Sequence, residues 1–74
     1  MKIEIEYCDQ WNYGPEAGRV SAEIEGVTQA RVQLIASSGG IFEIRKDGEL
    51  LWKKPRGGAF PTGEEARALF VSEL

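Results

Sequence analysis

The sequence predicts a single α/β domain with the element order β-α-β-β-β-α. Three observations carry that reading: strict alternation at the N-terminus, a switch to helical spacing between Asn12 and Gly26, and an Asp47-Gly48 dipeptide between two further strand-like runs. The chain has 74 residues, 42% hydrophobic and 28% charged, so one core spanning 1–74 is expected and a second domain is not. A single core in so short a chain supplies only about 3–5 kcal/mol, which leaves room for a partner to add stability.

From Lys2 to Tyr7, Ile3, Ile5 and Tyr7 share one face and Lys2, Glu4 and Glu6 the other, the pattern of a half-buried strand. Ala17, Val20, Ile24 and Val27 then recur at intervals of three, four and three and lie on one helical stripe. Pro15 suits the first turn of this helix, and Gly26 is expected to end it because glycine accepts positive φ. Gly14 and Gly18 predict a short helix.

Alternation returns at Arg31 to Ala36, where Val32, Leu34 and Ala36 align; the Ser37-Ser38-Gly39-Gly40 turn and a strand from Ile41 to Lys46 follow. Both central residues of a type I′ turn need φ > 0, so Asp47-Gly48 predicts a hairpin that returns through Glu49 to Lys53. With a two-residue loop, Lys46 faces Glu49, Ile44 faces Leu51 and Glu43 faces Trp52. Phe42, Ile44 and Leu51 are then inward, while Leu50 and Trp52 lie outward beside Glu43 and Arg45. Pro55 to Pro61 reads as a loop, and Thr62-Gly63-Glu64-Glu65 as a capping box opening a second helix. That helix is expected to turn Ala66, Leu69, Phe70 and Leu74 inward.

Composition removes several function classes. The chain has no histidine and one cysteine, so His-based acid/base chemistry, serine-type triads, a disulfide within the chain and a Cys-rich zinc site are not available; no metal site is expected. Nine Lys and Arg against twelve Asp and Glu leave a net charge of -3, the wrong sign for holding nucleic acid by phosphate neutralisation. The N-terminal alternation lacks the apolar stretch of a signal peptide, and no run reaches membrane-helix length, so a cytoplasmic location is expected and neither a membrane nor nucleic acid is an expected partner. The glutamate pairs Glu64-Glu65 and Glu4/Glu6 read as helix capping and a wet strand face.

A right-handed β-α-β crossover brings the ends of the first two strands to one edge of the fold, where Cys8, the Ser37–Gly40 turn and the Gly57–Phe60 loop are expected to converge. Two readings of Cys8 stand. A thiol near a helix N-terminus gains thiolate character, while Asp9 and Glu16 oppose it; alternatively Cys8 is a small buried hydrophobe.

Four strings, Tyr7-Cys8-Asp9-Gln10-Trp11-Asn12-Tyr13, Gly39-Gly40-Ile41-Phe42-Glu43-Ile44, Asp47-Gly48-Glu49-Leu50-Leu51-Trp52 and Gly58-Ala59-Phe60-Pro61, together resemble the selenoprotein W-like (selenoprotein W/T/H, Rdx) family. The resemblance spans nearly the whole chain. It implies a thioredoxin-like two-layer sandwich, a four-stranded mixed sheet with both helices on one face. It also implies a redox motif, Cys-x-x-Cys or Cys-x-x-selenocysteine, directly after the first strand. Cys8 matches its first position; Trp11 occupies the second. A second thiol normally resolves the mixed disulfide formed by the first, so a dithiol cycle is excluded here.

Two functions follow as expectations. In the first, Cys8 acts as the sole nucleophile, forming a mixed disulfide with glutathione or a protein thiol that an external thiol then releases, in a groove made by Trp11, Ser38, Gly39, Gly40, Gly58 and Phe60. No resident cofactor is expected; glutathione would be the thiol partner. Gly39 and Gly40 stand where thioredoxin-like folds place a proline. The second is a non-catalytic protein-binding module on a degenerate thioredoxin-like scaffold, with Trp11 as an interface anchor or simply packed over the first helix. A homodimer contact through Trp52 and Leu50 competes with Trp52 lying over the Arg45 stem. The basic run Lys53-Lys54-Pro55-Arg56 suits an acidic partner or glutathione carboxylates, and equally a solvated loop.

Overall fold

The N-terminal alternation forms β1, Ile3–Cys8, at the centre of a four-stranded sheet in a computed structural model that describes residues 1–73; the expectation for Leu74 lies outside them. β1 pairs in parallel with β2, Val32–Ser37, and antiparallel with β3, Phe42–Lys46. The fourth strand, β4 at Glu49–Lys53, pairs with β3, giving the order β2-β1-β3-β4. A parallel neighbour cannot be reached by a tight turn, and the crossover is α1, Gly14–Thr28. The second helix, α2 at Gly63–Ala68, leads into a 3-10 turn, Val71–Glu73.

Ala17, Val20 and Ile24 of α1 meet Ala66, Phe70 and the strand residues Ile3, Ile5, Phe42 and Ile44 in one core between the helices and the sheet. The expected capping box is present: Glu65 N–H donates to the Thr62 hydroxyl at 3.0 Å, and Thr62 N–H donates to the Glu65 carboxylate at 2.8 Å. Arg67 and Glu23 pair between α2 and α1.

Gly26 does not stop α1. The helix runs 15 residues to Thr28 and ends on Gln29, whose φ of 62° takes the left-handed cap. A glycine in a helix interior costs about 1 kcal/mol against alanine, which the burial of one continuous apolar stripe outweighs. Val32 is buried as expected, but Leu34 is 42% exposed and Ala36 is exposed as well, because β2 is a sheet edge with no strand beyond it.

The hairpin also departs from its simple register. Asp47 (φ 50°) and Gly48 (φ 85°) form the two-residue turn and Lys46 pairs with Glu49, yet a bulge follows: Arg45 pairs with Leu50 and Ile44 with Trp52. Leu51 is the extra residue. An inserted residue reverses strand parity beyond it, so Trp52 turns inward, edge-on to Phe42 at 6.1 Å between ring centroids. Leu51 and Trp52 both pack against the core, and Leu50 is 49% exposed. The expected outward Trp52/Leu50 face is therefore not formed.

On the sheet face away from the helices, Arg45 lies 3.6 Å from Glu4, 3.1 Å from Glu6 and 3.1 Å from Glu43. Glu6 and Glu43 are direct cross-strand partners, an unfavourable like-charge pair that the guanidinium relieves. Burial pulls the Arg45 pKa down, but hydrogen bonds and charge from Glu6 and Glu4 outweigh it and raise it above its ordinary value.

Two predictions follow from this arrangement. Trp52→Ala should destabilise the fold by about 2–3 kcal/mol in urea denaturation while Leu50→Ala stays within about 0.5 kcal/mol; equal small effects would mean that Trp52 lies outside. Arg45→Gln should cost about 1–2 kcal/mol at low ionic strength and clearly less in concentrated salt, since salt screens the repulsion among the three glutamates left behind.

Candidate functional site

β1 ends at Cys8, and the backbone around it is tied down on both sides. Cys8 N–H donates to the Ile41 carbonyl at 2.8 Å, and Asp9 N–H donates to the Ser37 carbonyl at 3.0 Å, which binds the start of the β2–β3 connection and its end to this strand terminus. The chain then doubles back: Asn12 N–H donates to Asp9 O at 3.0 Å and Tyr13 N–H to Cys8 O at 3.1 Å, with Asn12 in the left-handed region at φ 60°. Asparagine tolerates that conformation better than most side chains.

This reversal sends the two motif positions in opposite directions. Cys8 is 0% exposed, whereas Trp11 is 59% exposed. The expectation of an open thiol at a mouth of three loops is corrected: two of those segments hold the Cys8 backbone, but its side chain is enclosed and does not line the neighbouring cleft. A buried thiol in this state cannot meet a substrate disulfide.

Trp11 stands against the Gly39-Gly40 turn. A Cβ on Gly40 would come within 2.5 Å of the indole, and both glycines have positive φ, 79° and 75°. Gly40 therefore serves the turn and the close approach of the ring. The other edge of the indole meets Tyr13 at 6.0 Å and 87°; Tyr13 meets Phe60 at 4.8 Å, and Phe60 meets Phe42 at 5.2 Å. An edge-to-face series of rings thus links the exposed Trp11 to the core.

Beside Trp11 opens a cleft of about 440 Å³. Trp11, Tyr13 and the Gly39-Gly40 turn form one side, the start of β3 through Ile41, Phe42 and Glu43 another, and Lys53, Lys54, Arg56 and Gly57 the third. The Lys54 ammonium lies 5.7 Å from the Tyr13 ring centroid and 5.4 Å from that of Phe60, within cation–π range.

Of the residues expected to form a groove, Trp11, Gly39 and Gly40 come together here. Ser38 is exposed outside the cleft lining, and Gly58 is a turn residue whose N–H donates to Pro55 O at 2.9 Å. Phe60 is a packing residue between Tyr13 and Phe42. Tyr13 and the three cations were not among the expected site residues. The only sequence signal was the Lys53-Lys54-Pro55-Arg56 run, which by itself is indistinguishable from a solvated loop. Among the described residues no group of three or more His, Cys, Asp or Glu is placed to hold a metal, and no helix is long and apolar enough to cross a membrane.

Gly40→Ala should destabilise the fold by about 1–2 kcal/mol, through positive φ and displacement of the indole together. In the Trp11→Ala background the steric part disappears, so a double-mutant cycle should return a coupling above about 0.5 kcal/mol; additive effects would mean that the ring does not rest on the turn.

The sequence model of the Rdx family matches residues 2–70. The fold matches the crystal structure of a Bordetella parapertussis protein at a TM-score of 0.86 and 28% identity, over 99% of this chain and 96% of that one. It also matches the crystal structure of a selenoprotein W-related protein from Vibrio cholerae at a TM-score of 0.82 and 30% identity, over 92% of this chain and 89% of that one. None of the curated proteins matches the chain. With the family's pattern running through nearly all of its length and the same sheet and helices beneath it, the chain belongs to the Rdx family and has a thioredoxin-like, selenoprotein W-related fold.

Proposed function

We propose that this Rdx-family protein is a binding module that keeps a thioredoxin-like scaffold and uses it to hold a partner at the Trp11 cleft, without thiol turnover. The observation that carries this reading is the inversion at the motif: Cys8 is 0% exposed and Trp11 is 59% exposed. Family membership makes the protein redox-related by descent. A dithiol cycle needs a second thiol three positions on, where an indole stands. An exposed, rigid aromatic ring beside a cleft is the kind of group that anchors an interface.

The single-cysteine reading is favoured by one observation, the retention of Cys8 at the family's first motif position. It requires the structure around Cys8 to open before the thiolate can attack a glutathione or protein disulfide, forming the mixed disulfide and expelling the other sulfur as thiolate; an external thiol would reverse the step.

Mass spectrometry after incubation with oxidised glutathione separates the two. The native protein should remain unmodified over a pH series, and the same protein in denaturant should gain one glutathione at Cys8, with Cys8→Ser silent in both. Rapid stoichiometric modification of the native protein would overturn the module reading in favour of a gated thiol.

A further inference from the structure

We infer that the Trp11 cleft receives a short extended segment rich in aspartate or glutamate, its carboxylates meeting Lys53 and Arg56 while an apolar side chain lies on the Trp11 indole. The inference rests on the module reading and names the partner's chemistry.

The distribution of charge is the first argument. The chain is acidic overall, with nine Lys and Arg against twelve Asp and Glu. Lys2, Arg19, Arg45 and Arg67 are in salt bridges, and Lys46 has a partner of its own. Four cations have no salt bridge among the described residues: Arg31 lies apart beside Gln29 and Ala30, and the other three, Lys53, Lys54 and Arg56, all line this cleft. Among the described residues the only acidic side chain there is Glu43, which is engaged by Arg45 at 3.1 Å. An acidic molecule thus holds one concave, locally basic surface.

Shape and rigidity supply the rest. The volume, about 440 Å³, is that of a site for a few residues or a small molecule. Gly39, with open space where a side chain would stand, leaves the turn backbone accessible to close approach by an extended chain, while Gly40 is covered by the Trp11 ring. Lys54 is held over the Tyr13 and Phe60 rings, so part of the ordering cost of binding is met beforehand. A long polyphosphate chain fits less well: it would have to leave the cleft across a molecule of net charge -3, with Glu4 and Glu6 on the adjoining sheet face.

The test uses the full chain with labelled indole nitrogens, observed by NMR. Acetyl-Glu-Glu-Phe-Glu-Glu-amide should shift the Trp11 indole N–H in a saturable way, and the Lys-for-Glu peptide should not. Lys53→Glu with Arg56→Glu should weaken binding about tenfold or more, while Arg31→Glu, a charge reversal at an exposed residue away from the cleft, should change it little. Unchanged amide spectra identify the folded variants, and Cys8→Ser should bind as the parent does. Equal shifts with the acidic and basic peptides, equal losses for the cleft and Arg31 variants, or equally tight binding of a short oligothymidylate would overturn the inference. Glutathione modification is read separately: an inert Cys8 without acidic-peptide binding overturns the acidic partner, whereas a reactive native Cys8 overturns the module reading itself.

Discussion

Phe42 is the side chain on which the rest of the molecule is arranged. It is 1% exposed at the start of a central strand and meets Trp52 on one side and Phe60 on the other, both edge-on. Through Phe60 the contact passes to Tyr13 and then to Trp11. A chain this short, with no disulfide, must hold its loops by packing, and aromatic rings bring large buried area at small entropic cost. The same ring series that fastens the 55–61 loop and the Asp9–Tyr13 turn also sets the walls of the cleft, so stability and site share residues.

The bulge in β4 is part of this arrangement. Without Leu51 as an extra residue, parity would place Trp52 among the carboxylates of the open sheet face and remove the second ring from Phe42. With it, Trp52 joins Phe42 on the side facing the helices, and Arg45 sits among Glu4, Glu6 and Glu43 on the other. One guanidinium among three glutamates leaves that face acidic, whereas Lys53, Lys54 and Arg56, three of the four cations without a carboxylate partner among the described residues, gather beside Trp11. Charge segregation of this kind gives an acidic protein a basic cleft.

At the motif positions the chain carries one cysteine and one tryptophan. A redox dithiol requires a thiolate that meets its substrate and a second sulfur within reach of the first. Here the retained sulfur is buried at the end of β1, and the turn that follows presents an indole that rests against a glycine no larger residue could replace without moving the ring.

The element order, the capping box at Thr62, the two-residue turn at Asp47-Gly48 and the apolar stripes of β1 and α1 were all legible in the sequence, because each depends on neighbours within a few residues. The extent of α1 was not, since its glycines are tolerated only when the whole stripe is buried. Nor was the inward turn of Trp52: a bulge is decided by which face can accommodate the ring, and that face exists only once Phe42 is in place. The placement of Lys53, Lys54 and Arg56 opposite Trp11 likewise needed the hairpin to return beside the β1 turn, and the hydrogen bonds that fix the Cys8 and Asp9 backbone run to Ile41 and Ser37, some thirty residues away. Local propensity settled what each segment is; only contacts between distant segments settled which side chains water can reach, and in this protein they bury the Cys8 sulfur and expose the Trp11 indole.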